Sequence, residues 1–283
     1  DSMCFRLESH FLRAQWRKPA GGDIGNMGCM SENTYIVEYS RPENERAGTH
    51  LVLLLHGYGS HEKDLLSLAE HLPQEGITYA GMRAPQPVGT QFSADATGAH
   101  IPAEAIGYQW YPLDQQLNAD VRTIEQASDY VLEWVEQHES HYASVSLVGF
   151  SQGMAVATSM LRHRPGKFAA LVGLSGYAVE SDSPYFKDDE LKATELPVFF
   201  GRDQEDPIIP QPFVDYTYEW IRAYTDGIKV LYAGAGHGVS ALEIRHVGEF
   251  IDVKVLGHAP RIRAEKVADT AGNAGVSDQG SAD

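Results

Sequence analysis

The run Val145-Ser-Leu-Val-Gly-Phe-Ser-Gln-Gly-Met-Ala-Val-Ala constrains this chain more than any other stretch. Its front half is apolar and β-prone, while its back half places Ala155, Val156 and Met160 at helical spacing. No linker separates the halves, so a strand has to turn into a helix within Gly149-Phe150-Ser151-Gln152-Gly153. A turn that tight needs glycine on both sides and holds its central residue in strained backbone geometry, with the side chain lifted above the end of a parallel sheet. Ser151 is the residue so displayed and is the candidate nucleophile. A glycine-rich turn with a solvated serine satisfies the bare G-x-S-x-G pattern equally well, so the weight falls on what surrounds it.

The rest of the chain has the rhythm such a turn requires. Thr34 to Tyr39 is the first strand-like run, and Leu51-Val-Leu-Leu-Leu reads as a strand buried on both faces. A short helix follows from Asp64 to Leu72, then a strand from Ile77 to Met82 that stops at Arg83-Ala-Pro-Gln-Pro. From there to about Asp114 the chain is aperiodic, a length more typical of a functional loop or lid than of a plain connection. That segment holds Tyr108-Gln-Trp110-Tyr111, readable as a substrate wall or as aromatics pinning a surface loop. Asn118 to Gln137 is the clearest helix, with Val121, Ile124, Ala127, Val131 and Val135 on one face. Beyond the elbow, Ala169 to Leu174, Leu196 to Phe200 and Ile228 to Tyr232 are β-like, and Phe213 to Tyr224 and Val239 to Val253 are helical in spacing. This alternation predicts an α/β fold: a mostly parallel central sheet with helices on both faces. One domain is expected over residues 31–256. A loosely ordered N-terminal extension over 1–30, with Met27 or Met30 as the expected start, precedes it, and a disordered Ala-, Gly-, Asp- and Ser-rich tail over 257–283 follows.

Composition removes several function classes. A formal net charge of -17 repels nucleic acid and anionic membrane surfaces alike. Leu51 to Leu55 is too short to span a bilayer, and the first residues lack the apolar core of a signal peptide, so a soluble cytoplasmic protein is expected. Cys4 and Cys29 both precede the first convincing strand, which argues against a disulfide framework and against a thiol nucleophile. His61-Glu62 has no second histidine at metalloprotease spacing, and neither a phosphate-cradling loop nor a dinucleotide fingerprint is in place, so no metal or cofactor is called for.

A serine hydroxyl needs a histidine to take its proton and a carboxylate to orient that histidine. The chain supplies them in order. After Ser151, the strand Pro197-Val-Phe-Phe-Gly201 runs into Arg202-Asp-Gln-Glu-Asp206-Pro-Ile-Ile-Pro210, a turn with three carboxylates. Then Lys229-Val-Leu-Tyr232 runs into Ala233-Gly-Ala-Gly-His237-Gly-Val-Ser240. Both turns fall at the carboxyl end of a strand, where parallel sheets gather their chemistry. Asp206-Pro207 as a plain turn opener and His237 as a solvated loop residue are the bland alternatives, but three such residues each ending a separate strand are improbable by accident. For the oxyanion, the expected donors are the backbone N–H of Gln152, after the nucleophile, and that of Tyr58 in His56-Gly57-Tyr58-Gly59. His56 precedes the elbow and is expected to shape that loop, not to act as base.

On Leu55-His-Gly-Tyr-Gly, Gly149-Phe-Ser-Gln-Gly, Asp206-Pro-Ile-Ile-Pro and Gly236-His237, the chain resembles the phospholipase/carboxylesterase family of α/β-hydrolases, the acyl-protein thioesterase-like serine esterases, over about residues 50–252. The resemblance implies an α/β-hydrolase fold with Ser151 as nucleophile, Asp206 as acid, His237 as base, Tyr58 and Gln152 as oxyanion donors, and Trp110 near the acyl pocket. It departs in having Phe200-Gly201 where the family shows His-Gly, followed by a longer insert that leaves Asp203 or Glu205 as substitute acids, and in having Tyr58 where leucine is common. The implied activity is a serine carboxylesterase working through an acyl-enzyme, with an acyl-thioesterase or lysophospholipase as the alternative and a non-catalytic binding protein as a minority reading. Its implied partner is a small-molecule acyl ester or thioester, with no nucleic acid and no stable membrane insertion, and a homodimer stays open.

Overall fold

In the computed structural model, the described residues are 34–88, 107–114 and 116–259, together with the backbone of Cys4–Phe5. Eleven strands occur among them: β1 (Cys4–Phe5), β2 (Val37–Tyr39), β3 (His50–Leu55), β4 (Ile77–Met82), β5 (Gln86–Pro87), β6 (Tyr108–Gln109), β7 (Ser144–Phe150), β8 (Leu171–Leu174), β9 (Pro197–Asp203), β10 (Asp226–Tyr232) and β11 (Val239–Ser240). The α-helices are α1 (Lys63–Leu66), α2 (Val121–His138), α3 (Gln152–His163), α4 (Asp188–Lys192), α5 (Gln211–Tyr224) and α6 (Ala241–Lys254).

Seven strands form one sheet in the order β10-β9-β8-β7-β3-β4-β2, in which every neighbouring pair is parallel except β2 against β4. Unbroken apolar runs become central strands because successive side chains point to opposite faces, and here both faces are covered. On β3, Leu51, Leu53 and Leu55 join a core with α2, α3 and α5, while Val52 and Leu54 join a second core with α1 and α6. Complete burial of a leucine side chain contributes about 1.5 to 3 kcal/mol, which makes β3 a strong anchor for the loop that follows it.

Observed boundaries follow capping chemistry. The helix expected from Asn118 begins at Val121, because Asp120 stays extended and its carboxylate accepts from Arg122 N–H. The helix expected from Val239 begins at Ala241, because Ser240 caps it by accepting from Glu243 N–H. The two residues before it, Val239 and Ser240, pair antiparallel with Phe5 and Cys4. The helix expected over Asp64 to Leu72 is interrupted: α1 is a single turn and a 3-10 turn over Ala69–His71 follows. Ser67 Oγ donates to Asp64 O at 2.6 Å there, and such local side-chain bonds compete with helix continuation. Within the long aperiodic segment, β5 and β6 pair antiparallel, while residues 89–106 lie outside the described residues. The expected N-terminal extension, β1 apart, and the tail beyond residue 259 lie outside them as well.

Candidate active site

β7 ends at Phe150 and α3 starts at Gln152, leaving Ser151 alone in the turn with φ 52° and ψ -118°. A non-glycine residue at positive φ is held there at a cost of about 1 to 3 kcal/mol, so the surroundings must impose it. Ser151 N–H donates to Leu174 O on β8 at 3.0 Å, and Met154 N–H donates back to Ser151 O at 3.0 Å. Gly153 allows the close approach: a Cβ on it would run into Leu55 O, so α3 sits directly on the end of β3.

Ser151 Oγ lies 3.0 Å from His237 Nε2, and His237 Nδ1 lies 3.0 and 3.1 Å from the two oxygens of Asp206. The His237 and Asp206 side chains are 5% and 0% exposed, so this line of hydrogen bonds is dry beyond the serine. An acceptor carboxylate at Nδ1 fixes the ring proton there and leaves Nε2 to accept from the Ser151 hydroxyl. Asp206 Oδ1 also accepts from Ile208 N–H at 2.8 Å, which fixes the carboxylate in its own turn. The ring of Phe150 packs 5.2 Å from that of His237.

The other two carboxylates of that turn do different work. Glu205 is exposed. Asp203 is buried and accepts from Ala235 N–H at 2.6 Å and from Glu205 N–H at 2.8 Å, so it ties the histidine loop to the acid loop. Burial works against its ionisation, but the amides of Glu205, Ala235 and Gly236 outweigh burial and hold it below the usual carboxylate range. Ser175, unnoticed in the sequence, adds a second brace by donating its hydroxyl to Gly238 O at 3.1 Å.

The loop after β3 is braced from below. A Cβ on Gly57 would sit 3.4 Å from Ser151 Cβ, so the loop that carries Tyr58 passes beside the serine. Gln152 supplies the first amide of α3, one of the N–H groups for which a helix has no internal partner. Its side chain is also engaged: Oε1 accepts from Trp110 N–H at 3.0 Å and Nε2 donates to Tyr111 O at 2.7 Å. Trp110, expected at the acyl pocket, is fully buried and donates its indole N–H to His56 O at 2.8 Å, so it supports the loop after β3 from behind. His56 accepts from Ala84 N–H at 3.1 Å and bonds Gly57 O at 2.8 Å. Burial pushes its imidazole down to about 4, so it is neutral and shapes the loop.

Next to this, a cavity of about 300 Å³ is lined by Leu117, Ile124, Tyr177, Val179, Phe213 and Tyr216 among others. Gly176, beside Tyr177, lies against Ser151: a Cβ there would be 2.7 Å from Ser151 O. Of the residues lining the cavity, Asn118, Ala119, Ile124, Phe213 and Tyr216 fell within helices foreseen from the sequence.

Residues 42–255 match the phospholipase/carboxylesterase family. The chain belongs to that family. This phospholipase/carboxylesterase family protein is an α/β-hydrolase and a hydrolase of carboxylic esters. It is similar to acyl-protein thioesterase 1 of Kluyveromyces lactis, with 26% identity over 209 residues, 71% of this chain and 90% of the relative. Among solved structures, it shares its fold with acyl-protein thioesterase 2 of Zea mays at a TM-score of 0.59 and 17% identity, covering 78% of this chain and 99% of the other. Esterase PE8 gives a TM-score of 0.58 at 22% identity, over 78% and 99% of the two chains. The family match begins after β2, so β1 and its pairing with β11 lie outside it. No helix among the described residues is long and apolar enough to cross a membrane.

Proposed function

We propose that this esterase works through a Ser151–His237–Asp206 triad and an acyl-enzyme intermediate. The observation that carries this reading is the unbroken hydrogen-bonded line from Ser151 Oγ through His237 to Asp206, starting at a serine held in a strained turn. Ser151 Oγ attacks the carbonyl carbon as its proton passes to His237 Nε2, and Asp206 stabilises the imidazolium that forms. The oxyanion receives the Gln152 and Tyr58 amides, and one such donor is worth about 2.7 to 4 kcal/mol in the transition state. The N-terminus of α3 points at the same spot and favours the developing negative charge. His237 then returns the proton to the leaving alkoxide, and water repeats the cycle on the acyl-serine. The cavity beside Tyr177, whose wall is apolar at Leu117, Ile124 and Phe213 and polar at Asn118 and Glu180, is the proposed place for the acyl group.

A thioester in place of the oxygen ester is the second reading, favoured by the relative from Kluyveromyces lactis named as an acyl-protein thioesterase. Comparing kcat/KM for paired acyl thioesters and oxygen esters separates the two. Cytoplasmic residence is part of the proposal, in keeping with an apolar run at Leu51 to Leu55 too short to span a bilayer and with two cysteines that imply no disulfide framework. The central test is Ser151→Ala. Turnover of short-chain p-nitrophenyl esters should fall by about 10⁶-fold, the scale seen when a triad nucleophile is removed, and fluorophosphonate labelling should vanish. Undiminished turnover in this variant would end the assignment.

A further inference from the structure

Beneath the loop that leads to Asp206 lies a carboxyl with nothing to bond. Glu243, in the first turn of α6, is fully buried, and neither of its carboxyl oxygens has a hydrogen-bond partner. Its amide donates to Ser240 Oγ at 3.1 Å, which sets the first turn of the helix. Its side chain occupies the space left free by Gly201, where a Cβ would run into Glu243 Oε1. Two residues further along the same face of β9 stands Asp203. Asp203 bonds the amide of Ala235, two residues before His237, and that of Glu205, next to Asp206. One carboxylate therefore ties together the two loops that deliver the histidine and its acid, and Glu243 is the acidic neighbour at its back.

A dry site with no donor selects the uncharged form of a carboxyl, because burying an unpaired ion costs far more than keeping the proton. Burial accordingly pushes Glu243 up to about 8; the nearby Ser240 amide, which completes no hydrogen bond to the carboxyl, opposes this, and the negative charge of Asp203 adds to it. Three other ionisable groups surround the pair. Tyr232 on β10 has its hydroxyl raised by burial, with Glu243 adding to the effect, and that hydroxyl is paired with His246 Nδ1 of α6 at 2.9 Å. Arg202 on β9 helps to keep Asp203 ionised. None of the three bonds Glu243.

We propose that Glu243 is a positioning residue for the reaction assigned to Ser151: protonated, it fills the gap under Gly201 and lets Asp203 hold the His237 loop, and ionised, it sets a second negative charge against Asp203 and slackens that hold. The inference rests on the triad reading above. Its consequence is an alkaline fall in activity that belongs to neither the nucleophile nor the base.

The test is Glu243→Gln, which keeps the side chain's size and removes its titration. Loss of a single proton near pH 8 lowers activity about 10-fold between pH 7 and pH 9 in the parent, and this fall should vanish in the Gln variant, both in kcat and in the rate of fluorophosphonate labelling. Two measurements stand apart from turnover. In the parent, infrared spectra should show a protonated-carboxyl band lost between pH 7 and pH 9 and missing from the variant. Because the folded value lies above the unfolded 4.5, ionisation is resisted only in the fold. The parent should therefore lose stability relative to the Gln variant as pH rises from about 4.5 to about 8, with no further loss above that. Labelling at pH 7 combined with an unchanged alkaline fall in the Gln variant overturns this proposal alone. Failure of the parent to label at pH 7 overturns the esterase reading and this one with it. A parent with no carboxyl titrating between pH 7 and pH 9 overturns it whether or not the variant folds.

Discussion

Asp203 and Asp206 stand three residues apart in one turn, yet they meet the histidine loop in different ways. Asp206 bonds the imidazole and Asp203 bonds the backbone two residues earlier. Asp206→Asn should lower kcat by about 10³- to 10⁴-fold, since an amide at Nδ1 favours the wrong tautomer. Asp203→Asn should cost about 10-fold, because Glu205 N–H and Ala235 N–H bond different carboxylate oxygens and an amide oxygen replaces only one of them, leaving the other N–H facing an NH2 group. The two also separate in acid. A carboxylate held below its unfolded value of 3.8 stabilises the fold above that pH and loses the effect as pH falls through the folded value. Asp203→Asn should thus be less stable than the parent at pH 7, with the difference shrinking as pH falls below 3.8, as followed by acid titration of circular dichroism. The sequence could place three carboxylates at this strand end but could not choose among them by order alone. Which one faces His237 depends on how the turn closes, and Ile208 N–H bonding Asp206 is what closes it.

The elements that carry the serine were legible because their constraints are local. β4 runs from Ile77 to Met82 as expected, and β7 and α3 meet at Ser151 as the glycine spacing requires. The loop after β8 was not legible, because distant partners hold it. Arg162, 1% exposed on α3, donates to Asp188 at 2.7 and 2.8 Å and to Val179 O at 2.5 Å, and no local pattern announces that a helical arginine will turn inward. Trp110 is a similar case, since its support of His56 spans 54 residues. Packing of α3 on β3 yields a further prediction. Gly153→Ala puts a methyl group into Leu55 O, where backbone and not a flexible side chain must yield. Overpacking of this kind costs about 1 to 3 kcal/mol, and here it also displaces Ser151. We expect a lower denaturant midpoint together with slower fluorophosphonate labelling; a variant that labels at the parent's rate would show that the helix does not need this contact.

At the scale of the whole molecule, the alternation of strands and helices made the layered architecture readable, whereas the order of strands in the sheet depends on which edges meet in space. Charge acts at this scale too. With 22 Lys and Arg against 39 Asp and Glu, the fold works against a net charge of -17. Self-repulsion of that kind is screened by salt, as the Debye length shrinks from about 30 Å at 0.01 M to about 10 Å at 0.1 M. Thermal midpoints in scanning calorimetry should therefore rise by a few degrees over that range, and a flat or falling trend would mean that specific ion pairs outweigh the general repulsion. The sheet also gives the molecule two unlike rims. From β10 to β4 every strand points the same way, so the ends that carry Tyr58, Ser151, Asp206 and His237 all gather on one side. On the far side the chain turns through exposed glycines at 48 and 166, ahead of β3 and β8. On the proposed triad, substrate reaches the molecule at the first rim, and the second is where a tether, a tag or a solid support should interfere least.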